Sequence, residues 1–177
     1  MADTSNSETK DGSTGPLRVS SIDWSKWSPT HHATLTFIQQ AGRVLLIRKK
    51  RGLGAGMING PGGKLELNES ILDCAVREVE EEVGLTPLDL TKRGELRFQF
   101  VDGYAIHVYV FVARDYKGHL CETEEATPIW FDKDDIPYDE MWADDKLWLP
   151  HALSGGSVRG QFIFDEREML DHRLECD

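Results

Sequence analysis

The 177-residue chain is 40% apolar and 29% charged, which supplies one domain with a buried core and is too short for two ordinary ones. A formal charge of −11 at pH 7 excludes a protein that holds nucleic acid stably through a basic field of its own, so an anionic small-molecule substrate needs metal to mediate. No apolar run is long enough to span a bilayer or serve as a signal peptide, and Cys74, Cys121 and Cys176, an odd set without paired metal-ligand spacing, read as reduced thiols of a cytoplasmic protein.

Residues 1 to 19, rich in Ser, Thr, Gly and Asp, read as a disordered N-terminal extension, leaving 20 to 177 as the folded domain. Trp24 and Trp27 either pack the next segment onto the domain or stay as partly exposed aromatics. The β-rich runs Ala33 to Gln40 and Arg43 to Lys50, joined by Gln-Ala-Gly, predict a hairpin. A glycine-rich loop from Arg51 to Gly63 follows, and a helix begins near Asn68 to Ser70, where either residue can cap it. Gly84 sits where that helix ends, and Pro87 prevents its continuation.

Glu95 to Phe100 and Tyr104 to Arg114 predict a second hairpin around Asp102-Gly103. Pro128 to Phe131 reads as a strand and Asp144 to Leu153 as a short helix. Gln161 to Phe164 and Met169 to Leu174 close the chain as two strands or a strand and a helix. The mixture predicts an α+β domain.

The helix carries the most chemical information. It advances about 100° per residue, so Glu78, Glu81 and Glu82 share one arc while Leu72, Ala75, Val76, Val79 and Val83 fill another. Carboxylates at this spacing repel one another unless a cation compensates, and hard oxygen donors favour Mg²⁺ or Mn²⁺. Gly60-Pro61-Gly62-Gly63-Lys64, just ahead of the helix, lets backbone approach bound phosphates closely.

From Gly63 and Glu69 through Arg77-Glu78-x-x-Glu81-Glu82-x-Gly84, every fixed position resembles the Nudix box. The resemblance implies a mixed β-sheet sandwiched between helices and a hydrolase that cuts phosphate anhydrides. It implies that Glu78, Glu81 and Glu82, with the Gly62 carbonyl and Glu125, ligate Mg²⁺, with Mn²⁺ an alternative. Either Glu78 or Glu125 then takes the proton of the attacking water, while Arg77 orients carboxylates such as Glu69.

A narrower likeness, to the oxidised purine nucleoside triphosphate hydrolases of that family, rests on Arg43-Val44-Leu45-Leu46, Lys49-Lys50-Arg51-Gly52, Gly54-Ala55-Gly56, Asn59-Gly60, Met141-Trp142-x-Asp144-Asp145 and Trp148-x-Pro150. It implies a nucleotide site lined by Thr34, Lys49, Asn59, Trp142, Asp144 and Asp145, alongside Pro61, Gly62, Gly63 and Lys64 of the loop. Trp142 can stack on a purine, and Asp144 with Asp145 can share one proton and so both donate and accept. Read singly, Asp144-Asp145 is also a helix start, Trp142 a core residue, Lys49 a solvated strand end and Glu125 surface charge beside Glu124.

Leu53, Ile58 and Pro61 depart from the aromatic residues of that group and alter the walls around the base. The implied reaction converts a nucleoside triphosphate to the monophosphate and pyrophosphate, with 8-oxo-dGTP or 2-hydroxy-dATP as the leading kind of substrate. Other X-linked nucleoside diphosphates (ADP-ribose, dinucleoside polyphosphates, RNA caps) are the alternative within the family. A nucleotide-binding module without catalysis is the alternative outside enzymes.

Overall fold

The computed structural model describes residues 15–177. Its elements are β1 (His31–Gln40), β2 (Arg43–Lys49), β3 (Ile58–Asn59), α1 (Ile71–Val83), β4 (Leu85–Leu88), β5 (Thr91–Phe100), β6 (Ala105–Ala113), β7 (Asp115–Gly118), β8 (Ala126–Asp132), α2 (Asp145–Leu153), β9 (Val158–Asp165) and β10 (Glu168–Cys176). Most strands join one sheet in the order β10-β9-β5-β6-β1-β2-β3, with β8 on the other edge of β2. The sheet is mixed, because β1 runs parallel to β6 and β5 parallel to β9. The pair β4 and β7 stands apart.

Side chains alternate across a strand, so each strand feeds two cores. Phe37, Val44, Leu46, Leu96, Val108 and Val110 pack with Trp148, Leu149, Ala152 and Leu153 of α2. Ile38, Leu45, Ile47 and Ala113 pack with Val79 and Val83 of α1, and Ala75 of α1 meets Tyr109 and Phe111. The result is the α+β sandwich that the sequence implies, with β6 buried along its whole length.

One irregularity positions the site. β1 and β2 pair only near their shared turn, from Ile38 opposite Leu45 to Gln40 opposite Arg43, and then diverge. The glycine segment fills the split: Thr36 N–H donates to Pro61 O at 2.8 Å, Thr34 N–H to Gly63 O at 2.9 Å and Leu65 N–H to His32 O at 2.9 Å. β3 takes the diverging half of β2.

Several local expectations shift. The buried stripe of α1 is Cys74, Ala75, Val79, Glu82 and Val83, whereas Leu72 is 51% exposed; the helix is rolled so that Glu82 meets the glycine segment. Pro87 lies inside the short strand β4, where an edge position tolerates its missing N–H. β5 starts earlier than Glu95, and both C-terminal segments are strands.

The packed chain also begins before residue 20. Val19 is buried, and its N–H donates to Asp171 Oδ2 at 2.9 Å. Residues 1–14 of the expected extension lie outside the described residues. Trp27 packs rather than standing free, with its indole N–H donating to Gln99 Oε1 at 2.8 Å.

Helix α1 begins at Ser70, whose hydroxyl oxygen accepts from Asp73 N–H at 3.1 Å. It ends at Gly84, left-handed at φ 75° with its N–H returned to Glu80 O. A Cβ there would lie 2.7 Å from Cys121 Sγ and 2.8 Å from His119 O. Gly84→Ala is therefore expected to lower stability by about 1–3 kcal/mol in urea denaturation, and an unchanged midpoint would refute this account of the helix end.

Candidate active site

A buried bond joins the loop to the helix, from Gly62 N–H to Glu82 Oε2 at 2.9 Å. Glu82 is only 2% exposed. Burial pushes its carboxyl up to about 7, against the opposing pull of the Gly62 N–H and the Lys49 charge. The carbonyls of Pro61 and Gly63 face β1, so in this extended segment the Gly62 carbonyl shares the edge of its own N–H, toward Glu82. Close approach requires Gly62, where a Cβ would lie 1.9 Å from Thr34 O, and a Cβ on Gly63 would lie 2.4 Å from the Glu78 carboxyl and displace it.

Arg77 organises the remaining acids. Its Nε and Nη2 donate to Glu69 at 2.6 and 2.9 Å, its Nη1 donates to Glu78 Oε1 at 2.8 Å and Glu81 Oε2 at 3.0 Å, and Nη2 also reaches Lys64 O at 3.1 Å. The guanidinium holds the Glu69 carboxyl down to about 2. Glu78 moves the other way, raised chiefly by burial despite the same arginine.

Glu125 comes from the segment leading into β8 and pairs with Arg51, yet its charge is felt by both Glu78 and Glu82. Among the described residues no three acidic, His or Cys side chains are already gathered into a coordination shell, because Arg77 draws Glu78 and Glu81 to itself. The donor set nonetheless fits a hard divalent cation: carboxylates, a carbonyl edge and a buried Glu82 that ionises poorly without a compensating charge.

Beside this cluster the β1–β2 split opens a cavity of about 270 Å³, near the lower end of the roughly 300–1,000 Å³ range of small-molecule sites. Thr34, Lys49, Asn59, Gly62, Gly63, Lys64, Trp142, Asp144 and Asp145 all line it. Pro61 does not; it is buried with its carbonyl spent on Thr36. Of the departures, Leu53 lines the cavity, while Ile58 belongs to the core.

Sequence reasoning missed Leu35, Phe98, Phe100, Tyr104, Ile106 and Val108, which form the apolar wall. Their alternation along β5 and β6 was a usable signal, but which strand face borders a cavity depends on the sheet order.

Asp144 and Asp145 are 1% and 3% exposed. Asp144 makes no capping bond to α2; instead its Oδ2 accepts from the Trp148 indole N–H at 2.8 Å, and Oδ1 has no protein partner among the described residues. Asp145 Oδ2 accepts from Trp142 N–H at 3.1 Å. Burial raises both carboxyls, and the neighbouring Asp144 charge raises Asp145 further. Both shifts favour the protonated form, and Asp144 Oδ1 is the buried oxygen left without a protein partner beside the cavity.

Comparison with known proteins gives the family and the fold. The NUDIX domain profile matches residues 29–152. An oxidized purine nucleoside triphosphate hydrolase of Danio rerio is 44% identical over 144 residues, covering 80% of this chain and 92% of that protein. The enzyme of the same name from Mus musculus is 41% identical over 138 residues, covering 77% and 88%. Among solved structures, a mutator MutT protein of Bacillus halodurans superposes with a TM-score of 0.73 at 28% identity, covering 82% of this chain and 97% of that one.

Glu82 keeps its proton to about pH 7 when folded, against an ordinary value of 4.5. Between these values the folded state binds more protons than the unfolded, so metal-free stability declines as pH rises across that window and stays lowered above it. Glu82→Gln should gain roughly 2 kcal/mol at pH 8 in chelator and show a shallower decline, Glu78 and the aspartate pair, also raised by burial, contributing to what remains. Urea titrations at pH 5 and 8 decide this; an identical pH slope in both proteins would mean Glu82 ionises normally.

Proposed function

The chain belongs to the NUDIX family, and we propose that it is a hydrolase converting oxidised or otherwise modified purine nucleoside triphosphates, such as 8-oxo-dGTP or 2-hydroxy-dATP, to the monophosphate and pyrophosphate. Members of this family generally use a divalent metal; the oxygen-only donors here favour Mg²⁺, with Mn²⁺ a substitute. The observation that carries the reading is the continuity of two unlike ends. A base-sized cavity lined by Asn59 and the buried Asp144 and Asp145 is also lined by Gly62 and Gly63, and Gly62 N–H is bonded to the α1 carboxyl of Glu82.

Glu78, Glu81, Glu82, Glu125 and the Gly62 carbonyl would hold the cation, which supplies charge neutralisation on the phosphates and a more acidic attacking water. Arg77 keeps Glu69, Glu78 and Glu81 oriented through its fork. Glu78 is the better placed proton acceptor: burial has raised its carboxyl, and Arg77 donates to Oε1, leaving Oε2 for the proton. Glu125, engaged by Arg51, assists in binding.

At the other end Trp142 stacks on the base. Asp144 and Asp145 read its edge, where a partner lacking the right donor or acceptor leaves buried polar atoms unpaired. The three free cysteines suit the cytoplasm, where nucleotide pools reside, and no described helix is long and apolar enough to cross a membrane.

Two measurements test this. Pyrophosphate release from a panel of oxidised and unmodified nucleoside triphosphates, with ADP-ribose and dinucleoside polyphosphates alongside, should require divalent metal and favour an oxidised purine; Glu78→Gln should lower kcat by at least about 100-fold. Turnover that persists in excess chelator would sink the metal-site reading. Asp144→Asn and Asp145→Asn should each reduce the kcat/KM ratio of 8-oxo-dGTP over dGTP by about tenfold or more, with little change on a pyrimidine control. Unchanged ratios would leave the aspartates a purely structural role.

A further inference from the structure

The segment from Val19 to Trp27 precedes the family-matched region, which begins at residue 29, yet it is fastened to the back of the cavity wall. Along β5, Phe98 and Phe100 line the cavity, and Gln99 between them projects to the opposite face of the sheet. There Gln99 works as a clamp. Its Oε1 accepts from the Trp27 indole N–H at 2.8 Å, while its amide nitrogen donates to Phe100 O at 3.0 Å and Tyr104 O at 3.2 Å. Phe100 and Tyr104 are the two wall residues that flank the β5–β6 turn, and Phe100 also meets Trp142 edge to face at 6.3 Å.

Trp27 is itself held from several sides. Arg97 lies 5.8 Å over its ring and donates to Trp24 O at 3.3 Å. The Trp24 indole donates to Val19 O at 2.9 Å, and Val19 N–H is tied to Asp171 on β10. On the other side of Trp27, Thr30 N–H donates to Ala105 O at 2.7 Å and Ala105 N–H to Thr30 Oγ1 at 3.2 Å. The segment is thus a strap across the sheet face opposite the cavity, and its bond to Gln99 decides whether that side chain has one fixed orientation. A freed amide oxygen would turn to water, and its NH₂ group would leave the two carbonyls that hold the turn.

We propose that Trp27 is a positioning residue for the substrate pocket, acting through Gln99 to hold Phe100 and Tyr104 in place, so that this N-terminal strap tunes nucleotide binding. The consequence for nucleotides rests on the proposed function above. The carboxylates of α1 make no hydrogen bond to the strap among the described residues, so the effect falls on binding rather than on the chemical step.

The test uses the full chain with Trp27→Phe, which keeps an aromatic ring beneath Arg97 while removing the N–H donor and the smaller ring that carries it, together with Gln99→Ala and the double variant. With the nucleotide that wild type cleaves best, Trp27→Phe should raise KM about fivefold, equivalent to about 1 kcal/mol, with kcat within about twofold. Amide hydrogen exchange should quicken across 99–105 while α1 is unchanged. In the Gln99→Ala background Trp27→Phe should add nothing further, because its route to the wall is already gone. Exchange that stays at the wild-type rate, an unchanged KM, or effects that simply multiply in the double variant would overturn the proposal, as would exchange that quickens uniformly with a fall in kcat. A wild type that cleaves no nucleotide would sink the substrate reading instead, and the exchange comparison, which needs no substrate, would still uphold or overturn the clamp.

Discussion

The bond from Gly62 N–H to the buried Glu82 carboxylate is the constraint around which the molecule is arranged. It joins the glycine segment wedged between β1 and β2 to the helix that carries the acids, and the close approach to β1 demands glycine at position 62. Gly62 lies against the Thr34 backbone, which leaves no volume for a methyl group, and a methyl on Gly63 would push the Glu78 carboxyl aside. The same contact rolls α1 so that Glu82 displaces Leu72 from the buried stripe. A carboxylate in such a place is costly to ionise, and this cost becomes useful only when a cation shares the site.

The sheet separates two environments. Its α2 face supplies an apolar wall and the buried aspartate pair, whose polar atoms are costly to leave without partners. Its α1 face supplies carboxylates that are tethered by Arg77 and lie nearer to solvent. The faces open onto each other where β1 and β2 part, because the ladder of backbone hydrogen bonds closes the neighbouring strand pairs. A short departure from regular pairing therefore creates both the cavity and its access to the acids. The β5–β6 turn is the other place where the faces are coupled, since Gln99 on one side holds the backbone of wall residues on the other.

Much of this was legible along the chain because it is local. The helix from Ser70 to Gly84, its cap, its carboxylate arc and the glycine loop ahead of it depend on spacings of three, four and six residues, which a sequence displays directly. The two hairpins were likewise readable from alternation and turn residues, although β5 began earlier than its apolar run and Pro87 proved compatible with an edge strand. The motif around Trp142, Asp144 and Asp145 was visible as a pattern. That Asp144 binds the Trp148 indole instead of capping α2 was not, since both uses are open to an aspartate at a helix start.

By itself the sequence determined the α+β class, through its mixture of helix and strand signals, and the acidic helix with its hard-donor chemistry, through residue type at short fixed spacing, while the residues implied for a nucleotide came from the family resemblance. Only the tertiary structure decided that Glu82 is the buried acid while Glu81 stays at the surface, that Phe98, Phe100 and Tyr104 form the wall, and that Trp27 reaches Gln99 across 72 residues of chain. The reason is physical: burial and long-range contact arise from strand order and the roll of a helix against a sheet, and these are set by the packing of the whole domain rather than by any one segment.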